Sequence, residues 1–179
     1  MKHPFAERGF TLIELMVTLS VAGILLSMAV PAFSSFVQND RDVGQINSLA
    51  GSFNYARSEA VKRNSPSGII VCPSTDGQTC GGTAWSGGWI VLNLNTADPP
   101  PLVLQAVPAL TGSTTLGAVG AAAGITFLSS GLVSAPLSIG VCDIRGANYA
   151  RDVEVNATGR VASSQTPGKS VAGAALTCP

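Results

Sequence analysis

The sequence predicts an α+β chain: one long N-terminal α-helix, its first half apolar on every side, packed on a domain of antiparallel β-sheet. Three observations carry this. From Phe10 to Gln38 the only charged residue is Glu14. Apolar residues then recur at three- and four-residue steps as far as Ala60. Past Ser65 the texture changes to short β-rich runs separated by Gly, Pro, Asn and Asp. The chain has 179 residues, enough for one compact domain plus an extension. Charged residues make up 11%, well below the quarter usual in soluble domains.

The first element runs from Phe10 to Val30 and is apolar apart from Thr11, Glu14, Thr18, Ser20 and Ser27. At about 1.5 Å per residue it spans roughly the 30 Å hydrocarbon layer of a bilayer. Lys2, His3 and Arg8 precede it and no positive cluster follows closely. The positive-inside bias therefore keeps the N-terminus cytoplasmic and sends the rest across. A cleaved secretory signal fits poorly, because Pro31 and Phe33 follow Ala29 where a small-residue cleavage site would be needed. Glu14 stands out. A carboxylate in the bilayer costs several kcal/mol unless it is neutralised or paired. It needs a proton, a charge from another chain, or a newly made amine nearby.

Pro31 is expected to kink the helix rather than end it, because a helical pattern resumes beyond it. Residues 31–64 form the amphipathic continuation. Val43, Ile46, Ala50, Phe53, Ala56 and Ala60 make one apolar stripe, and Asp40, Arg41, Asp42, Gln45, Asn54 and Lys62 the polar face. Glu59 and Arg63 stand four apart and pair on the surface. Asn64-Ser65-Pro66 stops the helix. If continuous, the rod is on the order of 80 Å long.

Residues 65–179 are the β-rich domain. Strands are expected at Ile69–Val71, Trp89–Leu92, Leu102–Leu104, Ile125–Leu128, Leu137–Val141 and Val153–Val155. No helical pattern separates them, which argues for antiparallel pairing. The small-residue stretch Thr111–Gly124 reads as a surface loop. Cys72, Cys80, Cys142 and Cys178 contain no C-x-x-C pair, so a zinc ribbon or thioredoxin-type site is not indicated. In an oxidising space they imply two disulfides, with three connectivities open; in the cytosol they would be free thiols. Cys72 and Cys80 flank a Pro/Asp/Gly turn, so Cys72–Cys80 closes a short loop easily. Cys142–Cys178 would then clamp the penultimate residue to the sheet.

The residues exclude most enzyme chemistry. The one histidine, His3, lies ahead of any foldable domain, so no Ser-His-Asp or Cys-His arrangement and no His-ligated zinc site is expected. Gly168-Lys169-Ser170 lacks the earlier glycine of a phosphate loop, since Ser163 occupies that position. Asn156-Ala157-Thr158 fits a glycosylation sequon but reads as the turn before Gly159. Asp152 and Glu154 share a strand face and read as a solvated edge flanked by Arg145 and Arg151. No catalytic residue, metal or cofactor is expected.

Gly9-Phe10-Thr11-Leu12-Ile13-Glu14-Leu15 resembles the processing signal of type IV pilins and type II secretion pseudopilins. The resemblance implies that residues 1–9 are a leader removed by prepilin peptidase, with cleavage after Gly9 and methylation of the new Phe10 amine. It implies that residues 10–30 are the membrane span and that Glu14 aids registration between subunits in a filament. Arg57–Arg63, Ile69-Ile70-Val71-Cys72, Trp85-Ser86-Gly87-Gly88-Trp89 and Val153–Val161 resemble the GspH/FimT family of minor pilins and pseudopilins. That family implies the pilin fold, a long helix laid on antiparallel sheet. It also implies location in the inner membrane, with the C-terminal domain periplasmic, and then in the filament. The implied partners are other minor and major pilins, prepilin peptidase and the inner-membrane assembly platform. The implied function is assembly or priming of a type IV pilus, with a type II secretion pseudopilin as the alternative.

A further alternative is DNA binding. Some FimT-type minor pilins bind DNA through a Gly-Arg-x-Arg motif. Gly159-Arg160-Val161 matches, but Ala162 stands in place of the second arginine. Arg145, Arg151, Arg160 and Lys169 are the candidate cations, opposed by Asp143, Asp152 and Glu154. Equally, Arg160 in a turn can simply lay its stem on the sheet.

Overall fold

The computed structural model describes residues 9–95, 101–112, 114–120 and 123–178. The remainder of the leader (1–8), with His3, and Asp98 lie outside the described residues. One helix, α1, runs Leu12–Arg63 and passes through Pro31 without ending. Thr11 opens it: its hydroxyl accepts the N–H of Glu14 at 3.3 Å, one arm of a Thr-x-x-Glu capping box. Asn64 closes it in the left-handed region at φ 46°. There the N–H of Ser65 bonds the Ala60 carbonyl and that of Asn64 bonds Val61, which satisfies two end carbonyls.

The chain divides into two compact units, residues 1–39 and 40–179. In the first, every large apolar side chain from Phe10 to Phe33 is at least half exposed, from 51% at Val21 to 83% at Phe10. Its length and apolar composition are those a bilayer-crossing segment needs. Among the described residues, α1 is the one helix long and apolar enough to cross.

In the second unit, the helix buries Asp42, Ile46, Leu49, Ser52, Phe53, Ala56, Glu59 and Ala60, a stripe at alternating four- and three-residue steps. Eight strands follow: β1 (Ile69–Pro73), β2 (Trp89–Asn93), β3 (Leu102–Val107), β4 (Thr115–Gly120), β5 (Ile125–Phe127), β6 (Leu137–Cys142), β7 (Arg151–Val155) and β8 (Val161–Ser163). They form two antiparallel sheets, in orders β3-β2-β1-β5 and β4-β6-β7-β8. Both sheets give side chains to one core around Phe53, whose ring meets Trp85 edge-on at 6.1 Å and Phe127 at 6.5 Å. Trp89 is fully buried and donates its indole N–H to the Ser52 hydroxyl at 3.0 Å. That bond explains why a serine sits in the buried stripe. Gly88, at φ 106°, lets β2 enter this core: a Cβ there would stand 2.6 Å from the Val107 carbonyl oxygen.

Four expectations need correction. Residues 111–124 are not simply a surface loop: within them β4 pairs along the whole of β6, Thr115 opposite Cys142 to Gly120 opposite Leu137. Its small side chains hid it, because backbone pairing needs no bulky residues. An eighth strand, β8, was also not anticipated. Asp42 is not on a solvated face but 4% exposed. Asp152 is not on an edge either: β7 lies between β6 and β8, and Asp152 is 2% exposed. Glu59 does pair with Arg63, yet its own side chain is largely covered.

Candidate functional site

Gly9, Phe10 and Glu14 all lie exposed at the start of the first unit. The backbone of Glu14 is used locally, in the cap with Thr11. Its carboxylate is on the exposed first turn.

The four cysteines form two bonds, Cys72–Cys80 with Cα atoms 5.5 Å apart and Cys142–Cys178 with Cα atoms 5.9 Å apart. The first closes a turn organised by Asp76. Its carboxylate accepts from the Ser74 hydroxyl (2.9 Å), the Gln78 and Thr79 amides (2.8 Å each) and the Thr79 hydroxyl (2.6 Å). The bonds from Thr79, then those from Gln78 and Ser74, hold the Asp76 carboxyl well below the usual carboxylate range. The second bond ties the C-terminal tail to the end of β6.

The candidate cations do not converge as a group of four. Arg145 is consumed by an internal cluster. Its guanidinium reaches Asp143 at 2.6 Å and Asp42 at 3.1 Å and lies 4.4 Å over the ring of Tyr149. Thr114 also donates to Asp42. Burial first, and then the neighbouring Asp143, raise the Asp42 pKa above its ordinary value despite Arg145. Two carboxylates thus share one guanidinium, joining the helix to the segment after β6. Arg151 is spent on the backbone, donating to the carbonyls of Ser164 (3.3 Å) and Gln165 (3.2 Å). Arg160 and Lys169 remain. Both are exposed and both line one cleft beside β8.

The turn that presents Arg160 is built by Asn156. Its side-chain oxygen accepts the N–H of Thr158 (3.1 Å) and of Arg160 (3.0 Å) and the Thr158 hydroxyl (2.7 Å). The sequon is therefore a turn in which the asparagine caps its own loop. Gly159, at φ 73°, is required there, since a Cβ would collide with the Gly131 carbonyl oxygen. Arg57 fixes the same corner. It donates to the carbonyls of Gly131 (3.2 Å) and Thr158 (3.4 Å). The only signal for it in the sequence was its place in the block Arg57–Arg63. Among the described residues, no three His, Cys, Asp or Glu side chains gather as a metal site.

A capped apolar helix continuing into a helix laid on two antiparallel sheets, with a disulfide-clamped tail, has the architecture of the pilin fold. The chain belongs to the family of type II transport protein GspH, whose model matches residues 45–159. The model of the prokaryotic N-terminal methylation motif matches residues 5–30. Fimbrial protein Q of Moraxella bovis is 38% identical over 45 residues, which are 25% of this chain and 29% of that protein. The chain thus spans less than a third of that relative's length. The fold is similar to that of the type IV minor pilin FimU of Pseudomonas aeruginosa in two crystal forms. One has a TM-score of 0.52 at 19% identity, covering 66% of this chain and 89% of FimU. The other has a TM-score of 0.52 at 18% identity, covering 75% and 98%.

Proposed function

We propose that this chain is a minor pilin, made as a single-pass inner-membrane protein and then built into a type IV pilus whose assembly it primes. One observation supports this most: a methylation motif over residues 5–30 runs without a break into a helix whose second half is packed in a GspH-family, FimU-like domain. In this reading prepilin peptidase cuts after Gly9 and Phe10 carries the methylated amine. Residues 10–30 cross the membrane with the N-terminus cytoplasmic, and the β domain matures in the oxidising periplasm, where its two disulfides form. Glu14 pairs with the new amine of a neighbouring subunit, which removes the cost of a lone carboxylate in lipid. The partners are other minor and major pilins and the inner-membrane platform. The role is structural, with no catalysis. Deleting the protein lowers the number of surface pili and the twitching rate; an unchanged pilus count argues decisively against it.

The family description favours one second reading, a minor pseudopilin of type II secretion. In that case deletion leaves pili intact and instead traps secreted proteins in the periplasm.

A further inference from the structure

β8 is an edge strand of the second sheet. The bonds that flank its pairing with β7 run from the Asn156 N–H to the Arg160 carbonyl and from the Ser164 N–H to the Asp152 carbonyl. In an antiparallel ladder the bonded residues alternate, so Arg160, Ala162 and Ser164 face β7. Val161 and Ser163 then turn their N–H and C=O groups outward. Among the described residues, the one bond to that outer row is a 3.4 Å contact from the Gln165 side-chain amide to the Ser163 carbonyl. Beside this strand lies a cleft of about 690 Å³, lined by β8 with its flanking residues and by Lys169, Ser170, Val171 and Gly173 of the tail. The tail is held there by the Val171 N–H, which bonds Asp152 at 3.1 Å, by the Gly168 N–H on the Ala150 carbonyl, and by Cys142–Cys178. The cleft is therefore built into the fold.

Its charge is one-sided. Arg160 and Lys169 both line it, and neither head group has a hydrogen-bond or ion-pair partner among the described residues. β8 itself contains no Lys or Arg, but Arg160 immediately precedes it; none of the other edge strands, β3, β4 and β5, contains a Lys or Arg or has one directly next to it in sequence. An open strand edge recognises the backbone of an extended peptide, and nearby cations select acidic side chains on it.

We propose that this cleft binds an extended acidic peptide segment of a partner polypeptide, added as a strand to β8 and held by Arg160 and Lys169. β8 is three residues long, so the added strand is short and the charges supply the selectivity. A nucleic-acid strand fits less well. The cleft offers two cations, so few counterions are released. Among the described residues, no aromatic side chain lines the cleft for a base to stack on. The proposal concerns this face alone and does not depend on which filament the subunit joins.

The test uses the full-length protein in detergent micelles and a fluorescein-labelled octapeptide of alternating Glu and Thr, read by anisotropy. Saturable binding is expected. It weakens about tenfold in the double variant Arg160→Ala, Lys169→Ala, whose fold is checked by its Trp fluorescence. The same peptide N-methylated at every backbone nitrogen keeps its charge but has no N–H to offer, and its binding is expected to be lost. Equal binding of the N-methylated peptide, equal binding of a Lys-Thr octapeptide, or tighter binding of a 12-nucleotide single-stranded DNA each overturns the proposal. So does an absence of saturable peptide binding.

Discussion

Arg145 stands between two carboxylates that lie 103 and 2 residues away in sequence, Asp42 on the helix and Asp143 beside it. Its side chain is 13% exposed and theirs are 5% and 3%. Arg145→Met would strand two buried carboxylates, and the expected loss is about 3 kcal/mol or more. Urea unfolding followed by the fluorescence of the buried Trp85 and Trp89 measures it. A midpoint equal to wild type would mean that the cluster relaxes into water without cost. Asp152 gives a pH prediction. Burial, only partly offset by the Ser164 hydroxyl and the Val171 amide, raises its pKa above the ordinary value. The folded state therefore keeps this proton to higher pH than the unfolded chain does. Stability falls as pH rises from about 4 through that raised value. In Asp152→Asn this part of the slope disappears, so thermal melts between pH 4 and 7 are expected to be flatter than wild type. Asp76 acts in the opposite sense: its lowered pKa contributes stability that is present above the ordinary carboxylate value and lost as pH falls. None of these environments could be read from sequence. Asp42 sits among polar neighbours on the helix, and its partner is supplied by the far end of the chain.

The helix was the most legible element. Its apolar first half, its stripe and its stop at Asn64 are all local signals of period, composition and turn chemistry. The stripe was nearly right, with Val43 and Ala50 at its margins and Leu49 and Asp42 inside it. Phe53 is its centre. Phe53→Ala empties the space against Trp85 and Phe127 and is expected to cost about 3–5 kcal/mol in the same urea experiment. Among the strands, those rich in branched and aromatic residues were legible. β4 was not, because Thr-Leu-Gly-Ala-Val-Gly offers a backbone to pair but little to bury, and only β6 across the sheet makes it a strand. The tail is an element in the same position. Replacing Cys142 and Cys178 by Ser opens a link spanning 36 residues, with an expected loss of about 2–4 kcal/mol. An unchanged midpoint would show that Asp152 and Ala150 hold the tail unaided.

At the scale of the molecule, the proposed assembly route makes two predictions about the N-terminus. Mass spectrometry of the assembled subunit is expected to find methylated Phe10 at its start, while Gly9→Ile retains the leader. Glu14→Ala is expected to be processed normally yet to appear in sheared filaments at a small fraction of the wild-type level. Equal incorporation would leave Glu14 with no role beyond its first-turn position. In that route these properties reside in a short linear segment whose motif and hydropathy need no tertiary fold to be read. The sequence by itself therefore determined the helix, the motif that opens it, and the family to which the chain belongs. The tertiary structure alone decided which charges are available. Arg145 and Arg151 satisfy internal partners, while Arg160 and Lys169 are left facing one open strand edge. The reason is physical: hydropathy and helical period repeat along the chain, whereas the partner of a charge is set by contacts between residues that only folding brings together.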